Sequence, residues 1–218
     1  MSIAKTHRPR KRQLGQFMTP LPLARRLLGD VTFSGTDRVL EPSMGDGAFV
    51  VALIEKFLPL YDGPVEARLD RILRENVYGV EIDPGLYARC LDRIERTWGC
   101  VPRAHNLVRA DFFFCHLTTR GWEIGLVPSG ASAEARFDYI VGNPPFGGTI
   151  DPSVQDELDG LYGFRNGEKI KKETYSFFIV KALDMLAQSG KLMFICSDTF
   201  LTIKTMRGLR RLLMETGA

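Results

Sequence analysis

Metal-binding residues are scarce in this chain, with three histidines and four cysteines among 218 residues. Cys90, Cys100, Cys115 and Cys196 form no CxxC pair, and no His stands at ligand spacing from them. That argues against a zinc site and a disulfide framework, and the expectation is no metal and four buried, reduced thiols. No apolar run approaches the roughly 18 residues of a membrane span. The start, MSIAKTHRPRKRQ, carries charge without the apolar centre of a signal peptide, so no membrane partner and a cytoplasmic location are expected. GxxxxGK followed by Ser or Thr is missing, which excludes a P-loop, and the GxG at Gly45 and Gly47 has no third glycine of a dinucleotide fingerprint. Repeats and low-complexity tracts are absent as well. Acids are missing before Asp30, while Lys5, Arg8, Arg10, Lys11 and Arg12 cluster there. Residues 1–14 thus read as a basic arm, either frayed in solvent or in contact with phosphates.

What remains is an ordinary globular composition, 44% hydrophobic and 25% charged with a net charge of +3. A chain of this length forms one large domain that buries roughly 70% of its unfolded surface. Apolar runs at 37–41, 76–82, 106–111, 137–142 and 190–197 read as strands. Segments 47–58, 84–98 and 174–188 carry apolar residues at helical spacing, with Gly190 as a stop after the last, and 201–218 reads as an amphipathic helix. This alternation predicts an α/β fold with a doubly wound, mostly parallel sheet. Two stretches interrupt it: a turn-rich connection at 118–136 and a polar insertion at 147–173.

The stretch VLEPSMGDGAFV (39–50) runs from strand through turn to helix, and its glycines allow a ligand to approach the helix N-terminus closely. Successive strands end in Glu41, Glu81 and Asp111, and the fourth ends in Asn143. Any one such acid can be a solvated turn residue. A nucleoside explains them jointly, with a carboxylate such as Glu81 accepting from ribose hydroxyls. After the fourth strand, VGNPPFGGT stiffens the chain, because Pro144 and Pro145 fix φ and hold Asn143 in an extended conformation. The rigid corner stands at the carboxyl end of a strand, where open α/β sheets bind ligands.

In chain order, GQFMTP (15–20), VLEPSMGDGAFV, GVEIDP, RADFF (109–113), VGNPPFG and SGKLMFICSDTFL (189–201) resemble the gamma class of S-adenosylmethionine-dependent N6-adenine DNA methyltransferases of restriction-modification systems. NPPF alone also occurs in protein-glutamine and ribosomal RNA methyltransferases; FMTP ahead of the glycine loop is the more specific mark. The resemblance implies a Rossmann-like class I methyltransferase fold, incomplete at its C-terminal edge. It implies a catalytic domain at 15–218 with no target-recognition domain visible. Phe17, Thr19 and Pro20 would lie against the methionine of the cofactor, and Glu41, Pro42, Gly45 and Gly47 would form its floor. Glu81 would hold the ribose, Ile82 would pack on the cofactor adenine, and Asp111 with Phe112 would contact the edge and face of that adenine. Thr19 and Pro20 also read as a helix cap and first helical position.

The resemblance assigns catalysis to Asn143, Pro144, Pro145 and Phe146. The Asn143 side-chain oxygen and the Pro144 carbonyl would accept the two N–H groups of the target amine, turning its lone pair toward the methyl group without a general base. Phe146 would stack on an adenine flipped out of double-stranded DNA. Tyr162, Phe164, Arg165, Lys169, Lys171 and Lys172 suit nucleic-acid contact or a solvated loop. A second subunit or domain would supply target recognition. The alternatives are methyl transfer to RNA or protein glutamine, and an inactive remnant that binds cofactor or DNA.

Overall fold

The computed structural model describes residues 17–125, 136–146, 150–196 and 198–217. The basic cluster, Gly15, Gly147 and Gly148 lie outside the described residues. In chain order, α1 (Leu21–Leu27) precedes β1 (Val39–Glu41), α2 (Ala48–Phe57) and α3 (Val65–Glu75) lead to β2 (Val77–Glu81), and α4 (Pro84–Trp98) leads to β3 (Asn106–Arg109). A 3-10 turn (Phe112–Phe114) then enters a hairpin of β4 (Cys115–Thr118) and β5 (Gly121–Ile124), followed by β6 (Phe137–Gly142). Next come α5 (Pro152–Tyr162), β7 (Phe164–Arg165), β8 (Glu168–Lys169), α6 (Thr174–Met185), β9 (Leu186–Phe194), α7 (Thr199–Thr202) and α8 (Arg207–Thr216).

The main sheet is parallel throughout, with spatial order β3-β2-β1-β6-β9. Strands β1 and β2 are buried along their whole length because helices cover both faces of the sheet. Val39, Val77 and Val141 face a core with α1 to α4, while their neighbours Leu40, Tyr78 and Ile140 face a second core with α5 and α6. From β1 the chain winds outward to β2 and β3, then returns across to β6 on the other side of β1. The switch point therefore lies between β1 and β6, where a crevice opens beyond the strand ends.

Helix α4 has the predicted limits because both of its ends are signalled: Asp83 accepts from the N–H groups of Gly85 (2.8 Å) and Leu86 (3.0 Å), and Gly99 takes a left-handed φ of 81° after the last turn. Elsewhere the reading needs correction. Helix α6 ends at Met185 rather than 188, and Gly190 is no helix stop: it lies inside β9, where a Cβ would approach the Phe137 carbonyl to 2.8 Å. The predicted helix at 201–218 is broken at Ile203, whose backbone is extended, and Arg210 donates to the carbonyls of Phe200 (2.6 Å) and Ile203 (2.8 Å) across the break. The turn-rich connection begins at the end of β4 and includes β5, so it opens with a hairpin turn, and residues 126–135 lie outside the described residues.

The insertion is folded where it is described. Leu158, Tyr162 and Ile170 are buried in the second core, so Tyr162 belongs to the core and is no open platform for a base. Arg165 pairs with Asp184, Lys171 with Glu173 and Lys172 with Asp159, whereas Phe164 is exposed. Of the cysteines, Cys90 and Cys115 are buried as expected, but Cys100 is only partly buried and Cys196 is exposed. No described helix is long and apolar enough to cross a membrane.

Candidate functional site

Strand register brings the acids together. Glu41 pairs with Gly79 and Glu81 with Arg109, so each acid closes its strand at the same rim of the sheet. A cavity of about 1350 Å³ opens there, walled by Glu41, Pro42, Gly45, Glu81, Ile82, Asp111, Phe112, Asn143, Pro145 and Phe146, and by Phe17 and Thr19 from the start of the described chain. Three expected residues are not in the wall: Pro20, Gly47 and Pro144.

The acids are buried rather than solvated. Glu41 is 2% exposed, and desolvation, reinforced by the charges of Glu81 and Asp46, raises its carboxyl well above the usual range against an N–H from Ser43 (3.3 Å). Glu81 is raised by desolvation too, although each of its oxygens accepts a backbone N–H, from Gly45 and from Asp83, both at 2.8 Å. These bonds pin the glycine turn to β2 and leave further lone pairs on the same oxygens. Asp111, likewise raised by burial, accepts from Phe113 N–H (2.9 Å) and so caps the 3-10 turn that carries Phe112. Ile82 is 46% exposed and presents an apolar surface at the wall.

Gly47 departs from its expected role. It sits at the N-terminus of α2 with a φ of 87°, its N–H donates to the Met44 carbonyl (2.8 Å), and a Cβ there would meet Cys90 Sγ at 2.6 Å. It lets α2 approach α4 closely, and it does not line the cavity. Gly142 is a necessary residue that the sequence reading missed. Its φ is 154°, and a Cβ would collide with the Glu41 carboxyl, so glycine alone lets β6 turn into Asn143 beside that acid. Lys181 was missed as well. It is buried in α6, donates to the carbonyls of Phe112, Phe113 (3.1 Å) and Cys115 (2.8 Å), and is lowered to about 8 by desolvation. A lone cation within TYSFFIVKALDM was its one visible sign.

Asn143 follows β6 directly. Its backbone carbonyl accepts from Ser43 Oγ (3.2 Å), and its side-chain Nδ2 donates to the Phe17 carbonyl (2.9 Å) and to Thr19 Oγ1 (3.2 Å). Oδ1 is buried and has no hydrogen-bond partner among the described residues. Thr19 is therefore not a helix cap: Pro20 holds that place with no side-chain bond to the helix, and Pro22 lies in the first turn. Phe146 packs against Tyr175, with ring centroids 5.5 Å apart.

Over residues 75–217 the chain matches the Eco57I restriction-modification methylase family. It is 32% identical over 212 residues to a Type II methyltransferase of Thermus thermophilus, an overlap of 94% of this chain and 40% of that protein. Among solved structures it superposes on a chain of the DrdV-DNA complex with a TM-score of 0.67 and 22% identity, over 94% of this chain and 23% of the other. A Listeria monocytogenes protein described as a class I S-adenosylmethionine-dependent methyltransferase gives a TM-score of 0.61 at 15% identity, over 96% and 54%. The chain spans 40% of the Thermus thermophilus enzyme, so that relative carries much that has no counterpart in these residues. The parallel sheet with helices on both faces is the class I methyltransferase fold. A family match across most of the sheet and both of its faces makes the kinship plain: the chain belongs to the Eco57I restriction-modification methylase family.

Proposed function

We propose that this chain is the catalytic part of a restriction-modification DNA methyltransferase that transfers a methyl group from S-adenosylmethionine to the N6 amine of an adenine flipped out of the duplex. One observation carries the reading: the Asn143 carboxamide has both donor hydrogens engaged, while its acceptor oxygen is buried and without a partner among the described residues, at the wall of a cavity large enough for a cofactor and a base. An unpaired buried acceptor costs about 1–3 kcal/mol, and an incoming N–H recovers it.

The wall suits S-adenosylmethionine. Glu41, Glu81 and Asp111 are desolvated acids facing what would be a cationic ligand, Ile82 offers an open apolar face, and Gly45 brings backbone close. In this reading Glu81 receives the ribose hydroxyls on its remaining lone pairs. Ile82 and Phe112 flank the cofactor adenine, Asp111 meets its edge, Glu41 and Pro42 form the floor, and Phe17 and Thr19 border the methionine. The bound cofactor supplies an electrophilic sulfonium methyl group.

The target amine is a poor nucleophile because its lone pair is delocalised into the ring. Asn143 Oδ1 and the Pro144 carbonyl would each accept one N–H, localising that lone pair toward the methyl group. As the N–C bond forms the S–CH3 bond breaks, a neutral thioether leaves, and the surplus proton on nitrogen passes to solvent. Pro144 and Pro145 hold these acceptors in place before the base arrives, so the reaction requires little reorganisation. Phe146 stacks on the flipped base. DNA as substrate is supported by family membership.

The test is transfer of labelled methyl from S-adenosylmethionine to mixed-sequence DNA, with RNA in parallel and N6-methyladenine identified by mass spectrometry. Label in DNA adenine, reduced at least about a hundredfold by Asn143→Ala, is the expected result. Label in RNA or in protein, with none in DNA, would sink the reading.

A further inference from the structure

Nothing within Asn143 itself chooses between its two carboxamide orientations, yet only one of them presents an acceptor. The choice is made 124 and 126 residues earlier in the chain, by Thr19 and Phe17. A carbonyl can only accept, so Phe17 O rejects Oδ1 and draws Nδ2. The Thr19 hydroxyl can donate or accept; here it lies 3.2 Å from Nδ2 and takes its second hydrogen. The backbone of Asn143 is meanwhile held by Ser43 and by the proline that follows. Side chain and main chain are thus fastened from separate elements, and Oδ1 is left without a partner among the described residues.

We infer that Thr19 is a positioning residue for Asn143: its hydroxyl, together with the Phe17 carbonyl, locks the carboxamide with Oδ1 free to accept from the target amine. The chemical consequence of this lock rests on the function proposed above, whereas the lock itself is a property of the folded chain. Because the hydroxyl accepts from Nδ2, its own proton is directed away from Asn143. A ligand carboxylate arriving beside Thr19 would accept a hydrogen bond from that hydroxyl and hold its oxygen in the accepting role toward Nδ2. Cofactor occupancy and carboxamide orientation are then linked through one side chain.

The experiment compares Thr19→Val, Thr19→Ala and Thr19→Ser with the parent chain. Its first readout is the side-chain ¹H–¹⁵N resonance pair of Asn143, assigned by its loss in Asn143→Ala. Thr19→Val and Thr19→Ala should move one of the two amide protons upfield and speed its exchange, and Thr19→Ser should restore both. The second readout is single-turnover methyl transfer at saturating S-adenosylmethionine. Loss of one orienting hydrogen bond should slow it about 3–10-fold in the Val and Ala variants, with recovery in Thr19→Ser. In an Asn143→Ala background the Thr19 substitutions should add nothing. An Asn143 resonance pair that does not respond to any Thr19 variant would overturn the inference. So would a rate loss that excess cofactor abolishes, since Thr19 would then act only on cofactor affinity. If the chain methylates no acceptor, the function proposed above fails while the resonances still decide the lock.

Discussion

At the scale of single residues, the acids at the strand ends were visible as a pattern, but their burial was not. Sequence shows Glu41, Glu81 and Asp111 closing strands; it does not show that β6, pressed close by Gly142, shuts Glu41 away from water. Burial gives these groups a predictable pH behaviour. Their carboxyls are raised, so the folded chain holds protons that the unfolded chain has released. The stability they contribute is fully present below the ordinary carboxylate range and is lost as pH rises through the raised values. Urea titrations of the ligand-free chain at a series of pH values should show this decline, and Glu41→Gln should flatten it. A cationic ligand favours the ionised carboxylates, so affinity for S-adenosylmethionine should rise with pH across the same window, with proton release on binding. Calorimetry in two buffers of different ionisation enthalpy reads that release directly; proton uptake would contradict the proposed site. Gly47 and Thr19 mark the opposite limit of legibility. Their motifs were recognised, but the partners that define them, Cys90 and Asn143, come from far along the chain.

Among secondary elements, the legible ones are those with a complete local signature. Helix α4 has an Asp cap, a proline and a terminal glycine, and strand β6 has a β-branched and aromatic run; both were read to the residue. Helix α3 passed unassigned although Leu69, Ile72 and Leu73 mark its buried face. The β7-β8 hairpin was also overlooked, despite the Asn166-Gly167 turn with both φ angles positive, a strong short hairpin signal hidden within a polar stretch. This hairpin is fastened to α8 by Glu168, which pairs with Arg207 (2.9 Å) and Arg211 (3.2 Å), and by Asn166, which donates to Glu215 (2.9 Å). Exposed ion pairs contribute little, so the insertion is held chiefly by its apolar anchors. Ile170→Ala, at a fully buried position, should therefore cost about 2–5 kcal/mol in urea unfolding. Glu168→Gln should change stability far less. A reversed ranking would mean that the insertion is held electrostatically.

For the whole molecule, fold class was accessible because strands and helices alternate along the chain as apolar runs separated by turn residues. Strand order was not, because nothing local records that β6 returns to pair with β1. That return creates the crevice, and the crevice gives the acids and the Asn143 corner a common wall. The sheet and its two cores are assembled from α1 onward, whereas the groups that orient Asn143 precede α1. Scaffold and chemistry therefore meet at one short stretch of backbone. A single proteolytic cut between Thr19 and Leu21 should leave the thermal unfolding of the remainder within a few degrees of the intact chain while methyl transfer falls to the level of an Asn143 substitution. On the function proposed above, the molecule could thus be switched off by trimming rather than by unfolding, leaving a folded remainder whose Asn143 has lost the two groups that orient it.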